Sequence, residues 1–248
     1  MERCERIRAC LGRLGLTCLA LAVFAVAAPA AGASVQDTFN SHIEPTVLTG
    51  SSASGDLLEL TPEFRGGCNS SVAGTMKTKT VSEITLHPTI FECVLRLGGL
   101  GGEEFPATVD TAGCNLKITG LTDEGGPLGP MGTTSIECST GKAVIVTVPF
   151  CAITIPAQTI ASGTGTSFLN VQNGLETSEW DIRTLYLYRE MNYTASGMLC
   201  GFYGVSGGGK TADYEGVGTI KGWEDNGGPA NEDQYTDGEQ TGIWYSSD

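Results

Sequence analysis

Beyond residue 56, apolar and polar positions alternate with a period of two, and nowhere in that part of the chain do apolar residues recur at the helical period. The clearest stretch covers residues 84–120. Ile84, Leu86 and Ile90 step along one face, a Gly-rich LGGLGGEEF follows, and PATVDTAGCNLKITG resumes the pattern. This predicts two short strands, each ending near a cysteine, Cys93 and Cys114, joined by a loop. Upstream, LLELTPEF (57–64) reads as an edge strand, because Pro62 cannot donate to a ladder, and 71–78 and 81–92 read as two further strands. Downstream, 133–137, 142–148 and 152–155 read as short strands, with the β-branched VIVTV expected to be the buried central one.

Residues 167–172 and 178–188 flank Asn173-Gly174, a dipeptide that supplies the positive φ angles of a tight hairpin, and 192–199 and 212–221 read as two more strands. The turn-rich 120–132 is a loop, and Ile243-Trp244-Tyr245 predicts a last strand that closes the sheet. The expected fold is all-β, an antiparallel sandwich or barrel stapled by disulfides. Gly74-Thr75-Met76-Lys77 echoes Gly218-Thr219-Ile220-Lys221, but four residues recur by chance in a chain with 35 glycines.

The N-terminus changes this picture. Arg3, Arg6, Arg8 and Arg13 precede an uncharged run from 14 to 28, and Ala31-Gly32-Ala33 fits a small-x-small cleavage site. Residues 1–33 read as an export signal, the run being shorter than the ~20 apolar residues a span requires. The small, polar 34–56 then reads as a flexible lead-in, and 57–248 as a single exported β-domain with an acidic loop at 224–241. No later segment reaches transmembrane length.

Of the 14 basic and 28 acidic residues, the signal removes four and two, so the mature chain carries 10 − 26 = −16. That charge disfavours nucleic acid and anionic membrane surfaces and favours cations or basic partners. Six cysteines remain after residue 33: Cys68, Cys93, Cys114, Cys138, Cys151 and Cys200. In an oxidising compartment they imply three disulfides, for which 15 pairings exist. Cys138 with Cys151 is a local staple worth about 3 kcal/mol, Cys93 with Cys114 follows, and Cys68 with Cys200 remains by elimination. A metal site is a poorer reading, with no CxxC and two histidines.

Candidate chemistry is sparse. His42 falls in the lead-in, His87 precedes Pro88 within a strand, and there is no Gly-x-Ser-x-Gly elbow for a hydrolytic triad. Glu83, Glu92, Glu137, Glu179 and Asp181 lie on or beside strands and are the carboxylates from which a glycosidase pair would come. Asp225, Asp233, Asp237 and Glu239, spread among Gly and Asn, offer hard oxygen ligands to calcium, although EF-hand spacing fails at Tyr235 and Trp244; a solvated acidic loop is the plainer reading. Trp180, Trp223 and Trp244, with Tyr186, Tyr188 and Tyr193, either stack on sugar rings or fill the core.

The segments TLHPTIFEC, PATVDTAGCNLKI, IECSTGKAVIVTVPFCAITIPAQ, LCG, YEGVGTIKGWED and TDGEQTGIW, in that order from about 64 to 244, resemble a family of small exported, cysteine-containing, β-rich bacterial proteins, often paralogous within one genome. That family has no assigned activity, so the resemblance implies export, disulfides and a β-fold, and no site residues. Its pattern places a glycine before the first strand's cysteine; Glu92 stands there here, so the loop after Cys93 is expected to differ. The expected function is a secreted, non-catalytic domain with a binding or structural role at or outside the cell surface, its partner a polysaccharide or a cell-surface molecule. The alternatives are a carbohydrate-active hydrolase with paired carboxylates and a protease inhibitor presenting the loop 97–105.

Overall fold

The computed structural model describes residues 38–52, 55–97, 102–122, 131–160, 165–172, 180–206, 210–225 and 240–246, and its regular structure there is all β. In chain order the strands are β1 (Thr38–Ser41), β2 (Thr46–Ser52), β3 (Asp56–Thr61), β4 (Phe64–Met76), β5 (Thr80–Val81), β6 (Glu83–Leu97), β7 (Glu103–Asp110), β8 (Cys114–Thr122) and β9 (Met131–Cys138). After these come β10 (Val144–Val148), β11 (Cys151–Ile155), β12 (Gln158–Thr159), β13 (Gly165–Gln172), β14 (Trp180–Ser196), β15 (Lys210–Glu224), β16 (Gln240–Thr241) and β17 (Ile243–Ser246).

Four long strands organise the rest. β4 and β6 pair as one antiparallel ribbon, β14 and β15 as another, and each strand carries different neighbours on its two halves. On one side, hydrogen bonding runs β6-β8-β9-β13-β14-β15-β2-β4 and back to β6, a closed ring of eight strands. On the other it runs β6-β7-β10-β11-β14-β15-β3-β4 and again returns, a second ring of eight. Closure removes the open edges that exposed strands present.

Each ring has its own core, because inward positions alternate with outward polar ones along every strand. Leu48, Val72, Leu86, Ile118, Phe168 and Ile220 fill the first ring, joined by Phe39 and Ile243 from a separate sheet in which β1 pairs with β5 and β17. Leu60, Phe64, Leu95, Val146, Ile153 and Tyr203 fill the second.

The rings part at a waist, and the sequence prepares it in the same way in both ribbons. In β6 the inward residues are Ile84 and Leu86, then Cys93, Leu95 and Leu97; in β14 they are Ile182, Thr184, Tyr186 and Tyr188, then Met191 and Tyr193. The parity flips at Glu92 (φ 51°) and at Glu190 (φ 55°), left-handed residues at irregular register, while β4 and β15 keep one parity throughout. A bulge adds a residue and increases twist, which sends the flanking strands in different directions. β6 continues past Glu92 and Cys93 to Leu97.

Several expectations are corrected here. The lead-in 34–56 contains β1 and β2, and β2 lies between β15 and β4 with Leu48 buried; its small residues reflect close packing, since a Cβ on Gly50 would lie 2.8 Å from the Thr219 carbonyl oxygen. β3 is not an edge, for it pairs with both β4 and β15, and Pro62 falls in the turn beyond it. VIVTV is paired on both sides but turns Thr147 outward to solvent. The predicted strands at 178–188 and 192–199 are one, β14, and PATVDTAGCNLKITG is two, β7 and β8. The Asn173-Gly174 turn lies outside the described residues.

The six cysteines beyond residue 33 all form disulfides, but Cys68 pairs with Cys93, Cys114 with Cys138, and Cys151 with Cys200. Register decides this rather than loop length. Cys114 and Cys138 are directly opposed on β8 and β9, whereas Cys138 and Cys151, expected to be partners, belong to strands of different rings. Likewise Cys68 and Cys93 face each other where β4 and β6 shift register, 4.1 Å apart at Cα.

Candidate functional site

The waist is lined with hydroxyls. Asp56, at the start of β3, is 1% exposed, and its Oδ2 accepts a hydrogen bond from the Tyr214 hydroxyl at 2.5 Å. Its Oδ1 has no partner and lies against Gly216, where any Cβ would collide with it. Burial pushes the Asp56 carboxyl above the usual carboxylate range, with the Ser70 and Tyr214 hydroxyls opposing in part. Burial likewise pushes the Tyr186 phenol up to about 12 and raises Tyr188 and Tyr214 further, aided by the Asp56 charge. The Tyr188 hydroxyl is 3.0 Å from Thr166 Oγ1, which is 3.1 Å from Thr134 Oγ1.

Beside this layer is a cavity of about 70 Å³. Its floor is Leu58, Val72, Tyr188, Met191 and Tyr214, and its far wall is Ile136, Val144, Val146 and Ile155. The mouth is the fork of the sheet. β6 pairs with β8 over Glu83–Leu86 and with β7 over Cys93–Leu97, so residues 87–92 have no partner on that side. The rim residues Pro88, Ile90, Val109, Thr111, Asn115 and Leu116 are all half-buried, and Thr111 Oγ1 ties the fork by donating to the Pro88 carbonyl at 2.6 Å.

What the pocket can do follows from its polar groups. The hydroxyls of Tyr214, Tyr188 and Thr111 are engaged by Asp56, Thr166 and Pro88, so the surface left to an occupant is apolar. A single water needs only about 10–15 Å³ of such volume but also two or more polar partners. The cavity is therefore large enough for several waters and better suited to a small apolar molecule.

No family model, no curated protein and no solved structure matches the chain.

The residues singled out in the sequence lie elsewhere. Trp223 ends β15 half-buried and donates its Nε1–H to Thr49 Oγ1 at 2.7 Å; Trp244 in β17 lies against His42, with ring centroids 4.7 Å apart. Trp180 opens β14 opposite Gln172, and its side chain lies outside the described residues. Of the calcium candidates, Asp225 follows β15 in an exposed position, and Asp233, Asp237 and Glu239 lie outside the described residues. Among the described residues no three His, Cys, Asp or Glu side chains gather as a metal site.

Of the carboxylates, two share a partner and the others are engaged elsewhere. Glu83 and Glu137 flank Lys117 at 3.1 and 3.9 Å, Glu92 accepts from Asn69 at 2.7 Å, and buried Asp181 accepts from Gln240 at 2.8 Å; Glu179 lies outside the described residues. His87 is exposed on β6. Of the loop 97–105, residues 98–101 lie outside the described residues, and Phe105 turns inward against Tyr203 at 5.2 Å. Sequence reasoning missed Asp56, which it placed in the lead-in, and grouped Tyr186, Tyr188 and Tyr193 as a stacking or core set. All three tyrosines are buried. Their i, i+2 spacing on β14 is the signal for the first two.

Proposed function

We propose that the protein is an exported, non-catalytic binding domain whose ligand is a small apolar molecule taken into the fork between β7 and β8. The observation that carries this reading is the pocket itself: about 70 Å³, apolar throughout its accessible lining, with its hydroxyls satisfied from within and its rim half-open. Small-molecule sites are concave and mostly apolar with a few placed polar groups, and this pocket has that lining, in a volume well below the ~300–1,000 Å³ of drug-sized sites, which limits its occupant to a few heavy atoms. Against hydrolysis, Glu83 and Glu137, the candidate carboxylates that come together, share the Lys117 ammonium between them, Glu92 and Asp181 are held by Asn69 and Gln240, and Asp56 is buried behind Ser70 and Tyr214. Export is supported by the three disulfides, which persist in oxidising compartments, together with the signal-like N-terminus.

The test is methyl NMR of the oxidised protein titrated with xenon, whose single atom suits a cavity of about 70 Å³, alongside Val144→Phe, a variant that fills the cavity. Saturable shifts at Val144, Val146 and Ile155 in the native chain, absent from the filled variant, are expected. Equal binding by the filled variant, or no saturable shift, overturns the reading.

A further inference from the structure

The far end of the second ring presents a different surface. Phe150 is 71% exposed, Met198 83% and Phe202 53%, the three most exposed large apolar side chains among the described residues. They project from two segments fastened together: the Pro149-Phe150 turn between β10 and β11, and the loop 197–204 after β14. Cys151 is bonded to Cys200, Leu199 N–H donates to the Phe150 carbonyl at 3.2 Å, and the Tyr203 hydroxyl donates to the Pro149 carbonyl at 3.2 Å. Beneath them Tyr203 plugs the ring, 2% exposed and stacked 4.9 Å from Phe64. The tip is rigid, and its apolar side chains point away from the core that could have taken them.

Phe150 also sits at φ 58°, a left-handed turn position that glycine fills without strain and a bulky side chain does not. A strained residue that is also an exposed aromatic serves neither the turn nor the core. Charge is missing here too: residues 143–175 and 191–209 contain no Asp, Glu, Lys or Arg, in a chain with 42 of them. Glu103 approaches only the margin, near Tyr203.

We infer that Phe150, Met198 and Phe202 form an anchor that inserts into the interfacial region of an electrically neutral lipid surface. The three side chains stand largely exposed on a turn and a loop, which suits a medium that yields rather than a partner requiring a matching face. Its exposed apolar area is roughly 400 Å² at about 200 Å² per large side chain. A symmetric dimer through it would bury about twice that, short of the ~1,200 Å² of a specific interface. The net charge of −16 on the chain beyond residue 33 repels anionic lipid, and the uncharged tip meets no cost of charge burial in a zwitterionic one. This anchor is independent of the fork pocket, which lies at the waist.

The experiment is co-sedimentation of the oxidised chain from residue 34 onward, free of the Arg-rich apolar leader, with phosphatidylcholine vesicles, repeated with part of the lipid replaced by phosphatidylglycerol at low salt. Phe150→Gly, which also relieves the turn, and Phe202→Ser are tested in parallel, with circular dichroism to confirm the fold. Binding to the neutral vesicles, weakened by the anionic lipid and reduced about tenfold by each substitution, is expected. No sedimentation of the native chain, partitioning that folded variants leave unchanged, or a concentration-dependent dimer abolished by the same substitutions would each overturn the anchor.

Discussion

Asp56 and Tyr214 form a one-sided pair: Oδ2 takes the phenol's hydrogen bond, and Oδ1, equally buried, takes none. A carboxylate so placed loses more solvation than its two hydroxyl neighbours return, which favours its protonated form in the folded state.

A pH dependence follows. The folded value lies above the unfolded one, so the native protein holds a proton that the unfolded chain releases. Stability from this site is complete below the ordinary aspartate range, about pH 4, and is lost as pH rises through the raised value. Urea unfolding across that window should show the decline, and Asp56→Asn, neutral throughout, should remove it. An unchanged slope in the variant would assign the pH dependence elsewhere.

Gly216 must stay small because Asp56 occupies the space of its missing side chain. Gly216→Ala should destabilise the protein by about 1–3 kcal/mol through overpacking, read as a lower denaturant midpoint at unchanged slope. Gly102→Ala, an exposed positive-φ position with nothing near its Cβ, separates backbone strain from collision and should be milder.

Asp213 braces the bulge in β14. Its Oδ1 accepts from the Glu190 N–H at 2.9 Å and its Oδ2 from Arg189 at 3.0 Å, while Arg189 also reaches Glu215 at 2.6 Å. Asp213→Ala should lower stability by about 1 kcal/mol, the net worth of a hydrogen bond to the exposed Glu190 amide together with the Arg189 pair. Glu215→Ala removes only an exposed ion pair and should cost less, about 0.5 kcal/mol. Equal losses would show that the bulge does not depend on Asp213.

The disulfide pattern is directly checkable. Peptide mapping without reduction should recover Cys68–Cys93, Cys114–Cys138 and Cys151–Cys200, and none of the pairings that sequence spacing favours. Replacing Cys114 and Cys138 together by alanine should lower stability by roughly 3–4 kcal/mol, from a loop closed at a separation of 24 residues.

How far the chain could be read depends on how local each cause is. The all-β class and most strands were legible because alternation is written residue by residue. The waist was not, because the parity flips at two glutamates. Nothing about Glu92 or Glu190 announces a left-handed conformation, and the alternation that follows each looks like a new strand. The small residues of β2 suggested flexibility when they mark close approach of β4 and β15. Cysteine spacing suggested short loops, yet partners were set by cross-strand register that no local pattern records. The echo of Gly74–Lys77 in Gly218–Lys221 falls on the end of β4 and, at the same parity, on β15, both neighbours of β2, but Lys77 lies beyond β4 and the ribbon partners come in opposite chain order, so no tandem duplication follows. The pocket escaped notice because it belongs to a place where strands diverge, assembled from five or more of them.

Two cores would ordinarily allow two separate melting events. Here β4, β6, β14 and β15 belong to both rings, so unfolding these shared strands dismantles both at once. Amides of the shared strands should accordingly exchange with solvent at one common rate on both sides of the waist, as a single cooperative unit.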